Sequence, residues 1–158
     1  MTDVEVETEL ANSGARPVAE GLFTWPDTPR LIATSCVACA TTTVPKQASC
    51  PRCTGTDMRE VTLATRGRLW TWTIQGFEPK PPYAGPTPFE PYGVGYVELA
   101  ADAPGASSVL VESRLSESSP DRLAIGAEME LQIVPFRRDD DGTEVVTFSF
   151  RPAEAAGE

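Results

Sequence analysis

No histidine occurs anywhere in the 158-residue sequence. Its absence excludes Ser-His-Asp triads, histidine general bases and histidine metal ligands in one step. Long apolar runs are missing too. Nothing approaches the roughly 20 residues a membrane-spanning helix needs, so no membrane association is expected. The opening stretch, MTDVEVETELANSGARPVAE, lacks the apolar h-region of a secretory signal and predicts a reducing, cytoplasmic setting. Bases are scarce: Lys and Arg total 13 against 23 Asp and Glu, a net charge of −10. The imbalance is uneven. Residues 1–20 carry five acids and one Arg, residues 30–60 carry four bases and two acids, and residues 61–150 carry seven bases and thirteen acids. An acidic body repels a phosphate backbone, so nucleic acid is not expected as a partner.

Cysteine is sparse as well, and all four lie within SCVACATTTVPKQASCPRC, residues 35–53. Cys36 and Cys39 form one CxxC pair, Cys50 and Cys53 the other, with ten residues between the pairs. In a reducing compartment this pattern points to a metal site rather than disulfides. A two-residue gap lets both sulfurs of one tight turn reach the same ion. A second such turn completes a tetrahedron with metal–sulfur distances of about 2.3 Å. The spacer ATTTVPKQAS is long enough for a strand out and back, the hairpin of a zinc ribbon. Four thiolates leave no open coordination position, so the reading is structural Zn(II), standing in for a core that so small a module cannot bury. Rubredoxin-like iron and a pair of redox CxxC motifs are the rivals. Lys46 and Arg52 are the bases nearest the sulfurs in sequence and are candidates to screen their charge.

The rest of the chain divides at composition changes. Residues 1–20, few in large apolar side chains and rich in acids, read as a flexible acidic arm. Residues 21–60 hold an anchor segment with Phe23 and Trp25, then the cysteine module. Residues 61–152 read as β structure and residues 153–158 as a tail. RGRLWTWTIQGF alternates Leu69, Thr71 and Thr73 with Trp70, Trp72 and Ile74, the period-two signature of a strand, and both Trp are expected inside or on the wall. Further strands are predicted over 92–100, 107–113, 127–136 and 143–150, the fourth burying Met129, Leu131 and Ile133. SPDRLAIG supplies one helical turn, with Ser119 or Asp121 as its cap and Gly126 as its end. Five strands with a helical turn between the third and fourth suit a small Greek-key barrel of the OB type, with a five-strand sandwich as the alternative. Between the first two strands, EPKPPYAGPTPFEPY carries six prolines and three aromatics, Tyr83, Phe89 and Tyr92. Proline fixes φ and removes donors, so the segment is a loop, and its aromatics predict an ordered one.

Taken together, RLIATSCVACATTTVPKQASCPRC, GRLWTWTI, GFEPKPPYAGPTPFEPYGVGYVELA and LAIGAEMELQIVPF with VVTFSFRP resemble the zinc-ribbon plus OB-fold family of acyl-CoA-associated proteins, over about residues 21–152. One departure is Ala40, where such proteins usually carry the glycine that follows the first cysteine pair. The resemblance implies a mostly β chain, an N-terminal rubredoxin-like zinc ribbon followed by a five-stranded OB-fold barrel. It also implies a non-catalytic partner subunit of a thiolase-fold thiolase or aldolase. Such a subunit stabilises its partner and shapes a channel for acyl-CoA in steroid or aromatic degradation, within a hetero-oligomer, a heterotetramer by analogy. The residues agree on one point: all cysteines are committed, histidine is absent, and no Ser or Lys stands in a nucleophile motif. Glu78, Glu90 and Glu98 read as surface charges rather than bases. Phe23, Trp25, Tyr83, Phe89 and Tyr92 are the expected partner contacts, because rigid aromatics anchor interfaces. Arg66, Arg68, Arg137 and Arg138 are candidates for the phosphates of CoA. The competing function is single-stranded nucleic-acid binding, which OB barrels perform by stacking bases on aromatics along a basic groove.

Overall fold

A computed structural model describes residues 2–154. The chain begins with helix α1 (Asp3–Asn12), where a flexible arm is expected from composition. Thr2 and Glu5 form a reciprocal capping box at its start, and Asp3 and Glu5 lie in the first turn, where acids suit the helix dipole. No α1 residue is buried, although Leu10 packs partly against the core. The helix is tied down by polar contacts: the Ile133 backbone N–H donates to Glu7 Oε1 at 2.8 Å, and Asp3 pairs with Arg151. No helix among the described residues is long and apolar enough to cross a membrane.

Two sheets follow. A short strand β1 (Arg16–Pro17) leads to the ribbon sheet, formed by β2 (Ile32–Cys36), β3 (Thr42–Thr43) and β4 (Met58–Thr62) in the order β3-β2-β4. Both pairings are antiparallel, Thr34 opposite Thr43 and Ala33 opposite Val61. The second sheet is formed by β5 (Arg66–Gln75), β6 (Tyr92–Leu99), β7 (Val109–Leu115), β8 (Glu128–Arg138) and β9 (Glu144–Pro152). Strands β5, β6 and β7 form an antiparallel meander. Leu115 of β7 meets Phe150 of β9 in parallel, β9 pairs antiparallel with β8, and β8 returns to β5. The sheet therefore closes on itself as a five-stranded barrel, with β1 added in parallel along β9, and the sandwich alternative falls away. A 3₁₀ turn (Pro120–Arg122) sits where the helical turn is expected, but the Ser119 side chain makes no capping bond.

The barrel interior matches the strand pattern except at one place. Met129, Leu131 and Ile133 are buried as expected. On β5 the register jumps between Leu69, opposite Val97, and Thr71, opposite Tyr96. Trp70 is the extra residue of a β-bulge and points outward, 56% exposed, while Trp72 and Ile74 pack against the core with Leu69. The expectation that both Trp line the barrel is therefore corrected for Trp70. A bulge advances the alternation by one residue, which period-two reasoning does not register. A second bulge lies between Pro135 and Arg137, with the unpaired Phe136 37% exposed on the outer face.

One core joins the two sheets. Leu31, Ala33, Val61 and Leu63 share a cluster with Leu69, Val97, Leu99 and Phe150. The predicted boundary at residues 60–61 thus falls inside β4. Phe23 belongs to this cluster too, bridged to Leu31 across a small antiparallel pairing. The predicted tail lies mostly in residues 155–158, outside the described residues.

Candidate metal centre and docking surfaces

The four cysteines converge. Their sulfurs all lie within 4.8 Å of one another. Cys36 Sγ is 3.5 Å from Cys53 Sγ, and Cys39 Sγ is 3.5 Å from Cys50 Sγ. A disulfide requires about 2.05 Å, so these are free thiols. The edge of a tetrahedron with bonds of about 2.3 Å is about 3.8 Å, so the spacing fits four sulfurs around one Zn(II).

Two copies of one backbone device place the sulfurs. The Ala40 N–H donates to Cys36 O at 2.8 Å, and the Cys36 N–H donates to Thr41 O at 2.9 Å. The second knuckle repeats this: the Thr54 N–H donates to Cys50 O at 2.9 Å and the Cys50 N–H to Gly55 O at 2.8 Å. Closing each turn requires a left-handed residue after the second cysteine. Ala40 and Thr54 both have φ of 63°. The departure noted at Ala40 is thus a strained but formed turn, and Thr54 shares the strain without a sequence signal. A Cβ at Gly55 would stand 3.3 Å from Cys53 Sγ, which favours the smallest residue against the sulfurs.

The thiols are electrostatically uneven. The Thr41 hydroxyl, 3.2 Å from Cys39 Sγ, holds that thiol down at about 6. Cys50 is lowered chiefly by the Cys53 backbone N–H. At Cys53 the Gly55 backbone N–H pulls downward, but the adjoining thiols and burial outweigh it and push it up to about 11. Four sulfurs this close do not all ionise unless a cation shares their charge, as a dication does. Lys46 Nζ pairs with Glu60 at 2.9 Å, and Arg52 contributes its backbone N–H to Cys50 Sγ at 3.4 Å.

The ribbon is bolted to the barrel at Ser107, a residue that no sequence motif marks. The Thr42 N–H donates to Ser107 Oγ at 3.0 Å, Thr42 Oγ1 donates to Ser107 O at 2.6 Å, and the Ser107 N–H donates to Ala40 O at 2.9 Å.

The predicted aromatic contacts divide. Phe23 is 4% exposed and spent in this chain's own core, so it is corrected from a docking residue to a packing one. Trp25 is half-buried: its ring meets Phe23 edge-on, and its Nε1 donates to Ala15 O at 2.7 Å. Tyr83, Phe89 and Tyr92 gather into one cluster with centroids 6.1 to 6.3 Å apart. Arg114, which sequence reasoning missed, lies against them, 4.1 Å from the Tyr92 centroid and 5.5 Å from that of Tyr83. The proline-rich loop is therefore ordered by aromatic stacking and a cation–π contact. Most arginines proposed for CoA are occupied. Arg66 pairs with Glu128 and Glu130, Arg137 with Asp139 and Arg138 with Glu144, while Arg68 donates to Gly126 O.

Known proteins resemble this arrangement. A family model described as the ChsH2 rubredoxin-like zinc ribbon domain matches residues 26–59, and one described as the ChsH2 C-terminal OB-fold domain matches residues 60–134. A DUF35 domain-containing scaffold protein of Pyrococcus furiosus is 28% identical over 109 residues, 68% of this chain and 73% of that protein. The benzoylsuccinyl-CoA thiolase subunit BbsA of Thauera aromatica is 26% identical over 117 residues, 73% of this chain and 72% of that subunit. The solved Ltp2-ChsH2(DUF35) aldolase superposes with a TM-score of 0.55 at 26% identity, covering 78% of this chain and 84% of that one.

Proposed function

Because the chain belongs to the ChsH2 family of zinc-ribbon and OB-fold proteins, we propose that it is a non-catalytic partner subunit of a thiolase-fold thiolase or aldolase acting on acyl-CoA. Cys36, Cys39, Cys50 and Cys53 hold a structural Zn(II), and the barrel presents a shaped surface to the partner's active site. The observation that carries this reading is the convergence of every cysteine on one closed shell in a chain without histidine. Open coordination is what a catalytic zinc requires, and four thiolates fill it. What remains for function is surface.

Two relatives support the partner. One is named as a subunit of a benzoylsuccinyl-CoA thiolase, and the other is an aldolase assembly. Aromatics support docking: Trp70, Phe77 and Tyr96 are exposed on the meander side, and the half-buried Tyr83–Phe89–Tyr92 cluster and Trp25 lie elsewhere. In this reading the subunit stabilises its partner and shapes the channel for steroid or aromatic acyl-CoA, in a two-plus-two hetero-oligomer. Affinity purification of the tagged chain from its native host tests it. The expected result is stoichiometric recovery of a thiolase-fold subunit together with about one zinc per chain. Elution alone, or with nucleic acid only, would overturn it.

A further inference from the structure

On the outer face of β6, β7, β9 and β8, a groove of about 660 Å³ runs beneath the proline-rich loop. Its lining includes Val94, Glu112, Arg114, Gln132, Val134 and Phe136. Three features of these residues are unexplained by the fold. Gln132 is only 6% exposed, yet its side-chain amide makes no hydrogen bond with any described residue. Its polar atoms keep contact with solvent, so the amide is open to a ligand in the groove. Arg114 has no carboxylate within ion-pair reach among the described residues. Its guanidinium instead lies over the rings of Tyr92 and Tyr83, which position it before anything binds. Phe136, two residues beyond Val134 and unpaired at a β-bulge, brings a large, partly exposed apolar side chain to the same groove.

We infer that this groove receives an extended, acid-bearing peptide segment of a protein partner, its main-chain amide paired with Gln132 and its carboxylate with Arg114. The occupant is chosen by charge. Glu112 stands two residues from Arg114 on the same face of β7, held by the Tyr96 hydroxyl at 3.3 Å. A ligand with several phosphates meets that carboxylate and is repelled, whereas a peptide brings one carboxylate at a time. Apolar side chains on both walls, Val94 opposite Val134 and Phe136, suit the alternate side chains of an extended strand. The inference adds a specific contact to the docking role above, and rests on that reading only in taking a protein as the source.

The test is an amide-resolved NMR titration of the full zinc-loaded chain. The probe is a blocked, valine-rich peptide of about seven residues with one central glutamate. Controls are the same peptide with lysine at the centre, an oligothymidine, and coenzyme A. The glutamate peptide should shift Val94, Arg114, Val134 and both backbone and side-chain amides of Gln132. Arg114→Gln should weaken it at least about tenfold, as loss of a charged hydrogen bond does. Gln132→Leu should abolish the response while leaving the melting temperature equal or higher, which separates lost binding from lost folding. No shift at millimolar glutamate peptide, equal shifts with the lysine peptide, or shifts only with oligothymidine or coenzyme A would each overturn the inference. If the thiolase-fold subunit still co-purifies in those cases, the groove assignment alone fails and the subunit reading stands.

Discussion

Replacing Cys53 with serine isolates what the metal contributes, because Cys53 is the exposed member of the cluster and its loss leaves no core cavity. The two knuckles, residues 37–41 and 51–57, contain no buried side chain. Ordering about a dozen such residues costs on the order of 12 kcal/mol in backbone entropy. Few contacts offset this locally, and the binding free energy of a structural zinc site, about 10–16 kcal/mol, is of matching size. Below the knuckles the balance differs. Leu31 and Leu63 are fully buried, and Phe23 and Val61 nearly so, in the core shared with the barrel. Burial of such side chains contributes about 1.5–3 kcal/mol each, about 8 kcal/mol together, and needs no metal. Cys53→Ser should therefore lose zinc and melt the knuckles while β2 and β4 stay on the barrel. Hydrogen exchange read by mass spectrometry should rise over residues 37–57 and stay low over 58–63 and in β8 and β9. Zinc analysis on the same sample should fall to a small fraction of the parent. Exchange spreading through the barrel would show that the shared core does not hold the ribbon sheet. Unchanged knuckle protection after complete metal loss would show that the shell is not what orders them.

Other perturbations have signs set by the structure. Burial raises the Glu7 pKa above 4.5 even though the Ile133 N–H favours its ionised form, so the native state holds that proton to higher pH than the unfolded chain. Glu7 therefore lowers stability as pH rises through its native pKa, and Glu7→Gln, which still accepts from Ile133, should raise the melting temperature at pH near 7 and make no difference near pH 4. A Cβ at Gly67 would stand 2.0 Å from Glu98 O, where β5 turns from pairing with β8 to pairing with β6. Gly67→Ala should thus destabilise by about 3 kcal/mol in urea titration, and a shift under about 1 kcal/mol would mean the strand relaxes freely. Trp70→Ser should change stability by less than about 0.5 kcal/mol and weaken capture of the thiolase-fold subunit at least about tenfold. The reverse pattern would place Trp70 in folding rather than docking.

What was legible in the sequence followed from local rules. The cysteine spacing fixes a ribbon because two sulfurs per turn is a local constraint, and the sulfurs do converge. Strand periodicity located all five barrel strands to within a few residues, since one face of each is buried. Helix α1 runs against the acid-rich composition of its segment, and its local signal is the capping pair Thr2 and Glu5. Other features depend on distant partners. Ser107 matters only because the fold sets it beside Thr42, and Arg114 only because the proline-rich loop folds back over β7. Phe23 reads as a partner contact from its aromatic character, whereas its burial depends on a bridge to Leu31 across a turn with no periodic signal.

The two bulges show why the functional surface was the least legible part. A bulge costs ladder hydrogen bonds and advances the side-chain alternation, so it persists where the surrounding structure compensates. On β5 the bulge leaves Trp70 outward while Trp72 and Ile74 regain the core, and on β8 the bulge leaves Phe136 unpaired on the exposed end of the strand. Without its bulge, β5 would have to bury Trp70 or turn Trp72 and Ile74 away from Leu69, and either change repacks the barrel. The exposed aromatics are thus not leftovers of a core too small to hold them. Trp70 stands outward through a local irregularity that a regular strand of the same composition would lack, and a partner's surface is where so large an apolar side chain gains by burial.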